Sequence, residues 1–142
     1  MTTLLLSSAH RAQIEREARD AFPRECCGLL EGTRNGETFR ITALHPARNL
    51  SPDSDRFEID PADHFAALRA ARANGLAIVG CYHSHPNGKG EPSLRDTEGA
   101  WDQGFLWLIG AVSGGAVSVR GFARKADGWE PLALQEIAEN AA

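Results

Sequence analysis

Residues 76–96 read LAIVGCYHSHPNGKGEPSLRD, and this stretch decides the fold and the chemistry that the sequence predicts. Its apolar first part has the length and continuity of a β-strand that is covered on both faces. Alternate residues of an extended chain point to the same side, so His83 and His85 can bind one metal ion together. Ser93 opens a predicted short helix, and Asp96 in its first turn can face back as a third ligand. Two imidazoles and one carboxylate form the open type of zinc site, which leaves a further position to water.

A catalytic site of this kind also needs a proton acceptor that is not itself a metal ligand. Glu25 is the candidate, because it opens the apolar segment 26–30, where a carboxylate is expected only if it has a function. The motif from His83 to Asp96 also has an ordinary structural interpretation. His-x-His alone is a weak signal that also suits two hydrogen-bonded histidines at a strand end, and Ser93 and Asp96 also suit an N-cap and a first-turn acid of a helix.

Length and charge limit the classes of protein that the chain can belong to. With 142 residues, of which 42% are hydrophobic and 24% charged, it is expected to form one domain over 1–142, with a catalytic core at about 8–134. The net charge of −4 argues against nucleic-acid binding through phosphate neutralisation. No apolar run approaches the ~20 residues of a membrane-spanning helix, and the first residues lack the features of a signal peptide. We therefore expect a cytoplasmic protein that binds neither nucleic acid nor membranes.

The cysteines do not suggest a function of their own. The chain has an odd number of cysteines, Cys26, Cys27 and Cys81, which argues against a disulfide framework. We expect all three to be small buried hydrophobic residues in a reducing compartment. A cysteine hydrolase built on Cys81 and His83 is disfavoured, because Cys81 lies within the apolar part of the strand. A zinc nucleotide deaminase is disfavoured because its His-x-Glu and Pro-Cys-x-x-Cys patterns are absent.

The remaining sequence predicts a mixed sheet flanked by helices. Helices are expected over residues 9–21, with Ser8 as N-cap, and from Asp60 to a stop at Gly75. Strands are expected at 26–31 and 38–44, joined by a hairpin at 35–36, and at 76–82, 105–112 and 116–123, with a short last strand after a turn at 127–128. Residues 45–56 are expected to form a surface loop that contacts substrate, with His45 and His64 also on the surface. The tail from Gln135 is expected to be a frayed helix or disordered.

Taken together, the motifs resemble a known family. Three elements resemble the JAMM signature of the MPN-domain metalloproteases: Glu25, the run His83-Ser84-His85-Pro86, and Ser93-Leu94-Arg95-Asp96, with seven residues between His85 and Ser93. Residues 23–32 are also similar to the strand that carries the catalytic glutamate of that family. The resemblance implies an α/β fold with a single MPN domain, in which a curved mixed β-sheet is flanked by helices in a cytidine-deaminase-like three-layer arrangement.

The same resemblance implies a role for each residue of the motif. His83, His85 and Asp96 would bind one Zn²⁺ per chain. Glu25 would take a proton from the attacking water and later donate it to the leaving amine. Ser93 would donate a hydrogen bond to the oxyanion of the tetrahedral intermediate.

The resemblance also implies a class of substrate. Eight residues separate Asp96 from Phe105, which leaves little room for the insertions that bind a second ubiquitin in eukaryotic deubiquitinases. The chain is more similar to the compact prokaryotic branch, whose members cleave after the C-terminal Gly-Gly of ubiquitin-like or sulfur-carrier proteins. A slender Gly-Gly tail can add to a sheet edge and approach a recessed metal. The alternative is a non-catalytic MPN-type scaffold that binds a partner through its sheet edge.

Overall fold

The structure is a computed structural model that describes residues 1–100 and 104–138. Within these residues it contains one mixed sheet of eight strands in the order β7-β6-β5-β4-β2-β3-β1-β8, and three helices. The elements are β1 (Thr3–Ser7), α1 (Ser8–Ala21), β2 (Cys27–Asn35), β3 (Thr38–Ala47), α2 (Pro61–Ala73), β4 (Ala77–His85), α3 (Leu94–Gly99), β5 (Leu106–Ser113), β6 (Ala116–Lys125), β7 (Gly128–Pro131) and β8 (Ala133–Ile137).

The sheet curls into a half-barrel. Strands β4 and β5 are parallel, as are β1 with β3 and β1 with β8, and the other neighbours are antiparallel. Strand β8, at one edge, returns to contact β6 near the other edge. There the backbone N–H of Leu132 donates to the carbonyl of Gly121 at 2.8 Å. The expected curved mixed sheet flanked by helices is therefore confirmed.

Two apolar cores lie on opposite faces of the sheet, because successive residues of a strand point to opposite sides. On β4, Tyr82 packs with Ile14 of α1, whereas Cys81 packs with Ala67 of α2. Helix α1 therefore covers one face and α2 covers the other, which gives three layers. The second face, which α2 covers, is also the one that carries His83, because it lies two residues beyond Cys81.

The helix boundaries largely follow the capping residues. Helix α2 begins after Asp60, whose side chain accepts from the N–H of Ala62 at 2.9 Å, and it ends before Gly75, which has φ +70°. The expected cap of α1 at Ser8 is wrong by one residue. Ser7 is the N-cap, because its hydroxyl oxygen accepts from the N–H of His10 at 3.0 Å.

The short strand expected after the turn at 127–128 is present as β7, but strands β1 and β8 were not expected. In strand β1 two buried leucines flank a partly buried one, and a segment of three leucines is too short to indicate a strand by its pattern. The expected helix or disorder from Gln135 is wrong, since residues up to Ile137 pair with β1 in β8. The missed strand β1 and the wrong expectation for the tail have one cause. Strand β8 pairs with β1, so a sequence that does not indicate β1 offers no partner for β8. Residues 139–142 of the tail lie outside the described part of the chain.

The loop after β3 begins later than expected, and His45, the histidine expected in it, is not a surface residue. The hairpin at 35–36 is confirmed, but β3 continues to Ala47. His45 therefore lies on the strand, half-buried, with its Nε2 2.9 Å from Oε1 of Glu31, a side chain that is only 2% exposed. A buried carboxylate needs a polar partner, and His45 supplies it. His64 is exposed as expected.

Among the described residues, no helix combines the length and the apolar character that a membrane span requires.

Close packing between β2 and β4 generates a test of the fold. Gly28 pairs with Tyr82, and a Cβ at Gly28 would overlap the phenol ring. The ring cannot move away, because it is fully buried and its hydroxyl donates to Glu17 at 2.8 Å. We expect Gly28→Ala to lower the free energy of unfolding by ~1–3 kcal/mol, the usual cost of overpacking, in denaturant titrations.

Gly99→Ala is the matched control, because a Cβ there meets open space. It should change the free energy of unfolding by less than ~0.5 kcal/mol. Equal effects of the two substitutions would contradict the packing described for Gly28.

Candidate metal centre

The end of β4 and the start of α3 bring the predicted ligand residues together. His83 and His85 are the alternate residues at the end of β4, and both point to the face that α2 covers. Ser93 caps α3 in a reciprocal arrangement with Asp96. The Ser93 hydroxyl oxygen accepts from the N–H of Asp96 at 3.0 Å, and Oδ2 of Asp96 accepts from the N–H of Ser93 at 2.8 Å. This capping box fixes the Asp96 carboxylate with its Oδ2 toward the histidines.

Three ligand atoms converge on one point. His83 Nε2 lies 3.0 Å from His85 Nε2 and 3.1 Å from Asp96 Oδ2, and His85 Nε2 lies 3.0 Å from the same oxygen. All three residues are buried. A tetrahedral zinc ion with bonds of ~2.0–2.1 Å separates its ligand atoms by roughly 3.3 Å, which is close to these distances. The spacing therefore fits one small cation.

The chemistry of the donor set also fits a cation. His85 Nδ1 lies 2.8 Å from the carbonyl oxygen of Lys89, so this nitrogen must carry a hydrogen and donate it. In the neutral ring, Nε2 then carries a lone pair that faces the carboxylate oxygen of Asp96. Two acceptors at 3.0 Å repel each other unless a positive charge lies between or on them. A metal ion bound to all three atoms would remove this repulsion.

The pKa shifts of His85 and Asp96, but not that of His83, favour a positive charge beside the Asp96 carboxylate. Burial lowers the pKa of His83. Burial also acts to lower the pKa of His85, but the hydrogen bond and charge of Asp96 outweigh it and raise that pKa. For Asp96, burial acts to raise the pKa, yet hydrogen bonds from both histidines hold it well below its usual range. The Asp96 carboxylate thus favours a positive charge at His85, and a metal ion bound there would compete with a proton for the same nitrogen.

Two aromatic side chains fix the ring of His83. Phe57 stacks on it with centroids 4.4 Å apart, and Trp107 meets it edge-on at 5.4 Å. Phe57 lies in the loop between β3 and α2, and Trp107 lies on β5, so the two side chains come from distant parts of the chain. The sequence analysis missed both, because no spacing rule connects them to the His-x-His motif.

Glu25 lies two residues before the start of β2 and within electrostatic range of the cluster. Its side chain is 4% exposed, and its Oε1 has no hydrogen-bond partner among the described residues. Burial raises the pKa of Glu25 to about 8, while His85 lowers it and Asp96 raises it by smaller amounts. The next residue is tied to β4, because the N–H of Cys26 donates to the hydroxyl of Ser84 at 2.8 Å. Glu25 is thus a buried carboxyl group that can hold or release a proton near neutral pH.

A large cleft opens beside the cluster, between α2, α3 and the sheet. Its volume is about 970 Å³, and Asp96 forms part of its wall together with apolar residues. The cleft is also lined by Arg56 and Phe57, from the loop between β3 and α2. Glu25 lines a second and smaller cavity of about 450 Å³ near the end of α1. Asp96 therefore borders one opening and Glu25 borders the other.

None of the cysteines is suited to nucleophilic catalysis. All are free thiols, and burial raises the pKa of Cys26 to about 11 and that of Cys27 to about 12. Burial also raises the pKa of Cys81 well above its usual value. Because the thiolate is the reactive form, these groups stay protonated and inert at neutral pH.

Comparisons with known proteins agree with this fold and site. The model of prokaryotic homologs of the JAB domain matches residues 7–124. A desampylase of Haloferax volcanii is 34% identical over 116 residues, which cover 78% of this chain and 82% of the relative. A probable TtuB-protein conjugate cleaving protease of Thermus thermophilus is 34% identical over 113 residues, covering 79% of this chain and 67% of the relative.

A solved structure extends the likeness to the whole domain. The solution structure of protein DSY2949 from Desulfitobacterium hafniense superimposes with a TM-score of 0.86 at 30% identity, covering 98% of this chain and 94% of that one. The family match, the conjugate-cleaving relatives and this superposition agree with the resemblance found in the sequence. The chain belongs to the prokaryotic JAB-domain family, the JAMM/MPN type, and is a hydrolase of that type.

Proposed function

We propose that the protein is a zinc-dependent isopeptidase or peptidase that hydrolyses the bond after the C-terminal Gly-Gly of a ubiquitin-like or sulfur-carrier protein. The observation that carries the proposal is the convergence of His83, His85 and Asp96, at 3.0–3.1 Å from one another, beside the buried carboxyl group of Glu25. The names of the desampylase and of the TtuB-conjugate protease support this class of substrate.

The proposed cofactor follows from the ligand atoms. Two imidazole nitrogens and one carboxylate oxygen are the donor set of open zinc sites. A bound Zn²⁺ supplies Lewis acidity, which lowers the pKa of a water molecule in its open position and polarises a substrate carbonyl. The chain contributes the orientation of its ligands: the carbonyl of Lys89 fixes the His85 ring, and Phe57 and Trp107 fix the His83 ring.

Glu25 is the proposed general base and acid. Its unpartnered Oε1 is free to accept a proton from the attacking water. The same oxygen then donates that proton to the nitrogen of the leaving amine, which departs as a neutral group. A non-catalytic scaffold would have no use for this arrangement, because a buried carboxyl group without a partner destabilises the fold.

Ser93 is the proposed donor to the oxyanion. Its hydroxyl oxygen accepts from the N–H of Asp96, and this leaves the hydroxyl hydrogen free to donate. The residue is half-buried at the start of α3, so the donor is held in place by the helix cap. Both its ordinary role as N-cap and the catalytic role can therefore be served by one side chain.

The cleft beside the cluster is the proposed path of the substrate tail. Glycines lack side chains, so a Gly-Gly tail can bring its last carbonyl close to recessed residues. Large apolar side chains are exposed on α2, where Phe65 is 61% and Leu68 is 45% exposed. Leu68 also lines the cleft. An apolar surface beside the cleft suits contact with the folded body of a protein substrate.

Metal binding can be measured without a substrate. We expect the chain to bind one Zn²⁺ in calorimetric titrations after chelator treatment, with a higher melting temperature in excess zinc. Asp96→Asn should weaken binding by more than ~100-fold, because even residues behind the ligands contribute ~10–100-fold. Asp53→Asn removes an exposed carboxylate and should bind zinc as the wild type does. Wild-type affinity in Asp96→Asn would contradict the ligand assignment.

Cleavage is tested by intact mass. The substrates are a ubiquitin-like protein with one residue added after its Gly-Gly, and the same protein joined through its Gly-Gly to a peptide lysine. We expect chelator-sensitive release of the added group from at least one of them. Glu25→Gln should slow it by ~10²–10⁴-fold with its zinc retained, because proton transfer is lost.

Glu91→Gln is the matched control, since Glu91 is 77% exposed, and it should cleave at the wild-type rate. Wild-type rates in Glu25→Gln would exclude Glu25 as the base. Intact substrates with folded, zinc-loaded wild-type protein would favour the scaffold instead.

A further inference from the structure

Asn49 connects the backbone of Glu25 to the loop that borders the metal centre. Its side-chain Nδ2 donates to the carbonyl of Glu25 at 3.0 Å and to the carbonyl of Arg56 at 3.2 Å. Its Oδ1 accepts from the N–H of Ser51 and from the N–H of Glu58, both at 2.9 Å. Two donor hydrogens and two acceptor sites are therefore all used.

The backbone around Asn49 closes residues 49–58 into a compact loop. Asn49 bridges to Ile59, and the N–H of Leu50 donates to the carbonyl of Glu58 at 2.8 Å. From the other side, the guanidinium of Arg24 donates to the carbonyls of Asn49 and Ser51. Arg24 directly precedes Glu25. The segment 24–25 is therefore bound to the loop both by the Arg24 side chain and by the Asn49 side chain.

The far part of this loop reaches the metal ligands. Phe57 stacks on the ring of His83. Arg95, next to Asp96 on α3, lies 3.5 Å from Asp53 and 3.7 Å from Asp55. The loop thus spans the distance from the segment of Glu25 to both sides of the ligand cluster, and Asn49 is the side chain that joins its two ends.

Glu25 depends on such a contact because it lies outside the regular pairing of the sheet. Strand β2 begins at Cys27, two residues later. The described hydrogen bond to the Glu25 carbonyl comes from Asn49. A general base must be held within about 0.5 Å of its working position, and a misplacement of 1 Å can cost ~10²-fold in rate.

We propose that Asn49 is a positioning residue of the reaction: by holding the Glu25 carbonyl and both ends of the 49–58 loop, it sets the Glu25 carboxyl relative to the His83, His85 and Asp96 cluster. The inference rests on the proposed hydrolytic function. It predicts that Asn49 acts on the turnover of bound substrate and leaves the ligand cluster itself unchanged.

The test is Asn49→Asp, which keeps the shape and the Oδ1 acceptor but replaces the Nδ2 donor with an oxygen. That oxygen would face the carbonyls of Glu25 and Arg56 and repel both. We expect kcat for the Gly-Gly conjugate to fall by ~10–100-fold. The KM and the Zn²⁺ affinity should stay within about threefold of wild type, because the described hydrogen bonds of the Asn49 side chain go to backbone groups and not to a ligand side chain.

Ser51→Ala is the matched control. The Ser51 hydroxyl accepts from the N–H of Asp53 at 3.2 Å within the same loop, and it makes no described contact with Glu25. Its loss loosens the loop by one hydrogen bond, and kcat should stay within about threefold of wild type. If Asn49→Asp does not fold, Asn49→Ala removes the same donor without adding charge and carries the same expectation.

The outcomes separate this inference from the proposed function. A folded Asn49 variant with wild-type kcat, or a loss that is equal in Ser51→Ala, would overturn the positioning role while wild-type cleavage still supports the hydrolase. A loss that lies in KM or in zinc occupancy would overturn it as well. Wild-type protein that is folded, zinc-loaded and inactive would overturn both.

Discussion

The site depends on one electrostatic constraint: three groups that can each accept a positive charge lie within 3.0–3.1 Å of one another in a buried place. Without a proton or a metal ion between them, the lone pair of His85 and the carboxylate of Asp96 repel each other. The fold overcomes this repulsion because hydrogen bonds to neighbouring backbone groups keep both side chains in place. The carbonyl of Lys89 fixes one ring, and the Ser93 cap fixes the carboxylate. Such preorganisation is what metal binding requires.

Most of the proposed ligand and oxyanion residues lie within residues 83–96, which is why they could be predicted together from the sequence. His83 and His85 share a face by the geometry of any strand, and the N-cap signal at Ser93 places Asp96 in a first helical turn. These are local rules. Phe57 and Asn49 escape such rules, because their partners lie 26 and 24 residues away along the chain. Their positions follow from tertiary packing alone.

The fold was predictable to a similar degree and for the same reason. Helix α2, the hairpin and the buried strands β4 and β5 follow from capping residues, turn residues and apolar runs. Strand β1 and its partner β8 do not, since both are short, and β8 is an edge strand whose ladder is formed with β1. The burial of His45 also depends on a partner, Glu31, that only the pairing of β2 with β3 brings near.

The most direct test of the account is the position of the metal itself. Anomalous scattering at the zinc edge, measured on crystals of zinc-loaded protein, locates the ion independently of activity. The account predicts one strong peak between His83 Nε2, His85 Nε2 and Asp96 Oδ2, with the Glu25 carboxyl group nearby but not among the ligands. A peak at another place, or a peak that Glu25 ligates directly, would contradict it.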